Sequence, residues 1–237
     1  MLKTQTLDYQ DNGTPLEAIY AYEDTPGKKP LVLIAHDWSG KNAWMEEKAK
    51  QIASLGYIGF AIDMYGKGVV GTTTEEKSAL MQPLASNRPA LQHRILAALE
   101  AAKSLTLTDT NRIGAIGFCF GGLCALDLAR TGADIKGVVS FHGLLHAPNN
   151  ELKNPIKAEI LVLHGYKDPM GTMDAVVAFG KEMTERHANW ELDMYGNAVH
   201  AFANPKANDM TMGTVYNKDA DERSWIAMKN FFARLFG

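Results

Sequence analysis

The first 24 residues alternate apolar and polar side chains in two short segments, 3–9 and 15–22. This alternation is typical of β-strands that have one side on a core and the other in solvent. Asp11-Asn12-Gly13 separates the two segments, and Asn-Gly is the pair best suited to a tight hairpin turn. We therefore predict an antiparallel hairpin that begins a sheet at its edge.

From residue 31 onward, short continuous apolar runs alternate with longer segments of helical period. Continuous runs are typical of strands covered on both sides, whereas apolar residues three or four positions apart indicate amphipathic helices. This order predicts an α/β fold with a mostly parallel central sheet of about eight strands and helices on both faces. The predicted strands are 31–35, 58–62, a run beginning at Arg112, 138–141, 160–164 and 191–195, and the predicted helices are 41–55, 89–103, the segment after Cys119, 173–187 and a C-terminal helix with Trp225, Met228, Phe232 and Leu235 on its apolar stripe.

One connection, residues 64–88, is too long for a simple link between a strand and a helix. It is rich in glycine and threonine near residues 66–74, and it contains a short apolar turn at 79–81. Loops of this length often cover or line functional sites, although an irregular excursion is a close alternative. We treat 64–88 as a candidate lid or substrate loop, with Asn87 as the start signal of the next helix.

Length and charge narrow the class of protein. A chain of 237 residues fits one large α/β domain over residues 1–237, and 24 basic against 27 acidic residues give a net charge of −3. Because there is no basic surplus, nucleic acid and anionic membranes are disfavoured as partners. The first residues lack the apolar core of a signal peptide, so we expect a cytoplasmic protein, as a monomer or a weak homodimer.

The strongest motif is Gly117-Phe-Cys119-Phe-Gly121, placed between an apolar run and a helical segment. This G-x-C-x-G frame matches a nucleophile elbow, in which glycines let the chain turn sharply and present the central side chain. A glycine-rich connection with a small packed thiol is the alternative. The motif does not fit a dinucleotide-binding turn, because glycines 114, 117, 121 and 122 do not give the G-x-G-x-x-G spacing.

A cysteine nucleophile needs a base and an acid that orients the base. In α/β hydrolases these follow the nucleophile in the order acid, then histidine, each after a later strand. Asp168 follows the strand 160–164 and His200 follows the strand 191–195, whereas His36, His142 and His164 lie at strand ends and His93 and His187 lie on helices. Asp168 before Pro169 is also an ordinary turn residue, but the three positions together predict a Cys119, Asp168 and His200 triad.

Acyl transfer also needs backbone N–H donors for the developing oxyanion. The expected donors are the residue after the nucleophile, Phe120, and a residue in the loop after the first buried strand, Trp38. The same loop also serves as an ordinary link to the next helix, with Ser39 or Asn42 as its cap.

These motifs resemble the dienelactone hydrolase family of α/β hydrolases over residues 30–202. The resemblance rests on His36-Asp-Trp-Ser-Gly40, Gly117-Phe-Cys-Phe-Gly-Gly122, His164-Gly-Tyr-Lys-Asp168 and His200-Ala-Phe202. It implies the α/β-hydrolase fold, the triad and the oxyanion donors given above, and no cofactor or metal.

The resemblance also suggests further site residues. Asp37 stands where the family's lactone hydrolases carry a glutamate that controls the resting thiol. Arg88 matches one of two arginines that hold a substrate carboxylate, whereas Asn204 stands near the place of the second. Arg88, Tyr65 and His142 are our candidate substrate-binding residues. Because one of the two arginines is missing, the resemblance implies the family's reaction class for this chain but not its substrate.

The sequence therefore predicts a hydrolase of small carboxylic esters or lactones that works through an acyl-thioenzyme. The alternative in a different class is a thiol redox or sensing protein in which Cys119 reacts and Cys124 resolves. A non-catalytic binding domain on the same fold is the third reading. A disulfide between the two cysteines is not expected, because they stand five residues apart on one turn and helix.

Overall fold

The computed structural model describes residues 1–148 and 155–237 of the chain. Eight strands form a mostly parallel sheet with helices around it, which confirms the predicted fold class. Their order in the sheet is β1-β2-β4-β3-β5-β6-β7-β8. The elements are β1 Leu2–Asp11, β2 Thr14–Glu23, β3 Lys29–Ala35, α1 Ala43–Ala53, β4 Ile58–Ala61, α2 Thr74–Ser86, α3 Arg88–Lys103, β5 Thr108–Phe118, α4 Phe120–Arg130, β6 Gly137–Phe141, β7 Glu159–Gly165, α5 Met173–Glu185, β8 Trp190–Tyr195, β9 Asn208–Asp209, β10 Thr214–Val215 and α6 Lys218–Phe236.

The chain divides into two compact units, Met1–Ala115 and Ile116–Gly237. The expectation of one domain over residues 1–237 stays a prediction. Among the described residues, no helix is both long enough and apolar enough to cross a bilayer.

The first unit opens with the predicted hairpin. β1 and β2 pair antiparallel from Leu2 opposite Glu23 to Asp11 opposite Thr14. Asn12 and Gly13 have φ angles of 48° and 79°, the left-handed conformation that a two-residue hairpin turn requires. The local sequence thus fixes the register of this edge.

Strands β3 and β4 run parallel in the interior of the first unit, and every residue of both is buried. Helix α1 packs closely on β4 at Gly59, where a Cβ atom would lie 2.3 Å from the carbonyl oxygen of Ala49. Asn42 caps α1 by accepting the N–H of Trp44 at 2.9 Å. Of the two caps considered from the sequence, Asn42 is therefore the one used.

The segment 64–88 differs from the predicted loop. Most of it is helix α2, which begins with a capping box between Thr73 and Glu76 and continues through Pro83. No residue of α2 is buried. A helix without an apolar stripe leaves no 3.6-residue pattern in the sequence, so the turn predicted at 79–81 was wrong.

In the second unit, β6, β7 and β8 are parallel and in register, with Val139 beside Leu161 and Leu161 beside Glu191. Helix α6 packs on β6 at Gly137, where an added Cβ atom would lie 2.6 Å from Leu235 and 2.7 Å from Phe231. A short ribbon of β9 and β10 follows the last strand of the main sheet. The sequence did not predict this ribbon, because each strand has only two residues.

Candidate active site

The turn between β5 and α4 is a single residue, Cys119. Its backbone has φ 55° and ψ −115°, a conformation that non-glycine residues rarely adopt. The Cys119 N–H donates to the carbonyl of Phe141 at 3.0 Å, and the Cys119 carbonyl accepts the N–H of Gly122 at 2.9 Å. The thiol is partly exposed, as a reactive group must be.

The glycines of the motif allow the strand and the helix to approach each other. A Cβ atom on Gly117 would lie 1.9 Å from the carbonyl oxygen of Gly121, and one on Gly122 would lie 2.6 Å from Ser140 Oγ. Both distances are far below any real carbon contact. Glycine at 117 and at 122 is therefore a steric requirement of this turn, and the alternative of a glycine-rich connection with a small packed thiol stays open.

The positive φ of Cys119 should be measurable as strain. A non-glycine residue held in such a conformation costs roughly 1–3 kcal/mol, and glycine removes that cost while losing about 0.5–1 kcal/mol through its greater freedom in the unfolded chain. We expect Cys119→Gly to unfold in urea with a free energy about 1 kcal/mol higher than Cys119→Ala. Equal stabilities would show that the turn is not strained.

Asp168 lies in the turn that follows β7, and it is 3% exposed. Its Oδ1 atom accepts the N–H groups of Met170 at 2.8 Å and Gly171 at 3.1 Å. Its Oδ2 atom lies 2.8 Å from Nδ1 of His200. The two carboxylate oxygens thus have separate tasks: one fixes the side chain to its own turn and the other holds the imidazole.

His200 is held by its backbone as well as its ring. Its N–H donates to Gly213 at 3.0 Å and its carbonyl accepts the N–H of Val215 at 3.1 Å, so the residue pairs with the edge of β10. The next residue, Ala201, has φ 58° and turns the chain away. The short ribbon that the sequence did not predict therefore supports the loop that carries His200.

The ring of His200 interacts electrostatically with both Cys119 and Asp168. Burial would lower the pKa of His200, but its interactions with Cys119 and with Asp168 outweigh burial and raise the pKa to about 10. Nε2 is buried and makes no hydrogen bond within the part of the chain that the structure describes.

The same pair shifts the acid in the opposite direction. Burial would raise the pKa of Asp168, but its hydrogen bond and charge interaction with His200 lower it below the usual value. Asp168 is therefore a carboxylate at neutral pH, hydrogen-bonded to the imidazole of His200. Membership of Cys119 in a triad with this pair stays a prediction.

The predicted substrate residue His142 lies against the ring of His200. It follows β6 with φ 39°, and its ring contacts His200 edge-on at 5.3 Å and Phe202 at 5.0 Å between centroids. His142 is 1% exposed. The structure thus packs His142 on the imidazole of His200, and a role in substrate binding stays a prediction.

Phe120 is the first residue of α4, and its role as an oxyanion donor stays a prediction. The remaining predicted site residues lie in the first unit. The Tyr65 hydroxyl donates to the carbonyl of Trp38 at 3.1 Å, and Lys77 Nζ lies 5.6 Å above the Trp38 ring. Arg88 is buried at the first residue of α3. These contacts bring the Trp38 and Tyr65 loops together, whereas the roles given to Trp38, Tyr65 and Arg88 stay predictions.

Asp37 has a local partner. Its Oδ1 atom accepts the backbone N–H of Ser39 at 2.9 Å and a short hydrogen bond from the Ser39 hydroxyl. Asp37 does not cap the following helix, because Asn42 does so. Control of the thiol by Asp37 stays a prediction.

Comparison with known proteins identifies the family. The dienelactone hydrolase family model matches residues 16–236, nearly the whole chain. The chain belongs to the dienelactone hydrolase family. Membership confirms the resemblance found in the sequence and the predicted enzyme class, a carboxylic ester or lactone hydrolase.

Individual relatives extend this finding. A dienelactone hydrolase-like promiscuous phosphotriesterase from metagenomic libraries superimposes with a TM-score of 0.95 at 33% identity, covering 100% of this chain and 99% of that one. A provisionally named carboxymethylenebutenolidase of Aquifex aeolicus is 26% identical over 96% of this chain and 97% of its own. A provisionally named 2-oxo-3-(5-oxofuran-2-ylidene)propanoate lactonase of Bradyrhizobium sp is 29% identical over 84% of this chain and 85% of its own.

One departure from this family's expected pattern also has a structural explanation. Asn204, near the place of the second expected arginine, accepts the N–H of Lys206 at 3.0 Å and donates its own N–H to Ala201 at 2.9 Å. It shapes the loop after His200. The side chain is therefore used in a turn, and it offers no cation for a substrate carboxylate.

Proposed function

We propose that this dienelactone hydrolase family member cleaves small esters and lactones through a Cys119 nucleophile, with His200 as proton carrier and Asp168 as its orienting acid. The observation that carries this proposal is the 2.8 Å contact between Asp168 Oδ2 and His200 Nδ1. With Nδ1 engaged, only Nε2 can serve the thiol, and Cys119 raises the pKa of this ring. The order of the three residues along the chain, the burial of Asp168 and His200, and the electrostatic interactions of His200 all fit nucleophilic acyl transfer.

In the first half-reaction the Cys119 thiolate attacks the carbonyl carbon. A carbon–sulfur bond forms while the carbonyl electrons move onto oxygen, and the oxyanion lies at the N-terminus of α4, where the Phe120 N–H begins the helix. When the carbon–oxygen bond breaks, His200 gives its proton to the leaving alkoxide. The raised pKa of His200 keeps that proton available at neutral pH.

In the second half-reaction water releases the acyl group. Neutral His200 removes a proton from water as the oxygen attacks the thioester carbon, and the carbon–sulfur bond then breaks to regenerate the thiolate. A lactone gives a hydroxy acid by the same steps, because its leaving alkoxide remains tethered to the acyl group. The contribution of Trp38 as second oxyanion donor remains part of the proposal and rests on the family resemblance.

The substrate class follows from what the site offers. The chain has no arginine at 204, so a substrate carboxylate would lack one of its two expected partners. Small esters and lactones without a carboxylate near the reacting carbonyl should therefore be accepted more readily than dienelactone itself.

A rate comparison separates the hydrolase from the redox alternative. Purified protein is expected to hydrolyse 4-nitrophenyl acetate and dihydrocoumarin, with an initial burst of nitrophenol when deacylation is the slower step. Hydrogen peroxide, supplied with a thiol reductant, should be consumed no faster than by a Cys119→Ala control. Rapid peroxide consumption without ester turnover would instead favour the redox protein.

A second substrate class is suggested by the phosphotriesterase relative, which is 33% identical over the full length of this chain. A thiolate in an elbow can attack phosphorus as well as carbon, with the same helix N-terminus facing the developing negative oxygens. We propose slow hydrolysis of aryl phosphotriesters at the same site. Loss of this activity and of ester hydrolysis together in Cys119→Ala would support it, and loss of ester hydrolysis alone would contradict it.

A further inference from the structure

A second histidine lies next to the triad without being part of it. His164 is the penultimate residue of β7 and is fully buried. Its Nε2 atom lies 2.7 Å from the carbonyl oxygen of Gly171. Because a carbonyl can only accept, Nε2 must carry the proton and donate it.

Gly171 connects His164 to the acid of the triad. The N–H of Gly171 donates to Asp168 Oδ1, while its carbonyl accepts from His164. A Cβ atom on Gly171 would lie 2.5 Å from His164 Cε1, so the imidazole packs directly on the backbone of the turn. Gly171 thus accepts a hydrogen bond from His164 through its carbonyl and donates one to the Asp168 carboxylate through its N–H.

His164 is a costly choice for a core position. Burial lowers its pKa, which keeps the ring neutral at physiological pH. Its Nδ1 atom is buried without a hydrogen-bond partner in the part of the chain that the structure describes. Leaving a buried polar atom unpaired in this way lowers stability, whereas an apolar side chain of similar size would avoid that loss. Packing alone therefore does not account for a histidine here.

We propose that His164 is a positioning residue for catalysis: its Nε2–H holds the Gly171 carbonyl, which fixes the turn whose amides orient Asp168 toward His200. This role rests on the proposed function of the triad. Small displacements of an orienting group reduce rates strongly, because proton transfer needs hydrogen-bond distance and alignment. His164 touches neither the substrate nor the reacting atoms.

Three substitutions separate the donor role from packing. Glutamine can place an N–H near the position of Nε2, asparagine is too short to reach Gly171, and leucine removes the donor while filling the space. We expect His164→Leu and His164→Asn to lower kcat for 4-nitrophenyl acetate by about 10-fold to 100-fold with KM within about twofold. His164→Gln should keep at least about a third of the parent kcat.

A double substitution tests whether His164 acts through Asp168. In an Asp168→Ala background, His164→Leu should change kcat by less than about twofold, because the group it positions is already gone. Equal fold losses in the two backgrounds would overturn the proposal, as would His164→Leu with parent activity or His164→Gln as impaired as His164→Leu. If His164→Leu does not fold, His164→Gln and His164→Asn provide the test: a higher kcat in His164→Gln than in His164→Asn supports the proposal, and equal kcat values would overturn it.

A measurement independent of turnover separates this proposal from the proposed function. The proton of His200 Nδ1, hydrogen-bonded to Asp168, should give a downfield NMR resonance in the parent that shifts or broadens in His164→Asn and persists in His164→Gln. If the parent hydrolyses no ester but the resonance follows this pattern, the function fails and the positioning role stands. An unchanged resonance in all variants would overturn the positioning role.

Discussion

Cys119→Ala is expected to lower kcat/KM for 4-nitrophenyl acetate by roughly 10⁴-fold to 10⁶-fold, because the variant cannot form the acyl-thioenzyme at all. The backbone of the elbow is shaped by Gly117 and Gly122, whose contacts do not involve the thiol. Circular dichroism of the variant should therefore match that of the parent. The rate is read from nitrophenol release after subtraction of the uncatalysed reaction.

Cys124 supplies the matched control. It lies in α4, is fully buried and, like Cys119, forms no disulfide. Cys124→Ala removes the same side-chain atom but should change kcat/KM by less than about threefold, because Cys124 is outside the proposed triad. Hydrolysis undiminished in Cys119→Ala, or lost equally in both variants, would remove the nucleophile assignment.

His200→Ala should have the second largest effect, a fall in kcat of roughly 10²-fold to 10⁴-fold. The variant loses the proton donor for the leaving group and the base for water, and it leaves Asp168 as a buried carboxylate without its partner. KM should change much less, since the ring acts on the reacting bonds more than on the bound ester.

His187 is the control for this substitution. It lies beyond the end of α5, is exposed and has φ 51°, a conformation that asparagine tolerates well. His187→Asn should keep kcat within about twofold of the parent. A loss of less than threefold in His200→Ala would assign the base to another of the seven histidines.

The sequence predicted those features that depend on neighbouring residues. Asn12-Gly13 fixed the hairpin, and the glycines around Cys119 identified the elbow, because each motif meets a backbone requirement within a few residues. The places of Asp168 and His200 followed from the order of strands in parallel sheets. The 2.8 Å contact between them could only be seen once the strands were assembled.

Other features left no local pattern. Helix α2 has no buried residue and so no apolar periodicity, and the β9–β10 ribbon that holds His200 has only two residues in each strand. His164 was seen only as a histidine at a strand end. Its importance depends on a 2.7 Å contact with Gly171, seven residues later, which the folded turn alone creates.

Covalent trapping at Cys119 tests the central claim most directly. The protein is mixed with 4-nitrophenyl trimethylacetate, whose bulky acyl group should slow deacylation, and is quenched in acid at intervals before digestion and mass spectrometry. We predict one acyl group, formed at the rate of the nitrophenol burst, on the peptide that contains Cys119, and none on the corresponding peptide of Cys119→Ala. Continued turnover with the acyl group on another residue, or with no adduct and no burst, would contradict the account.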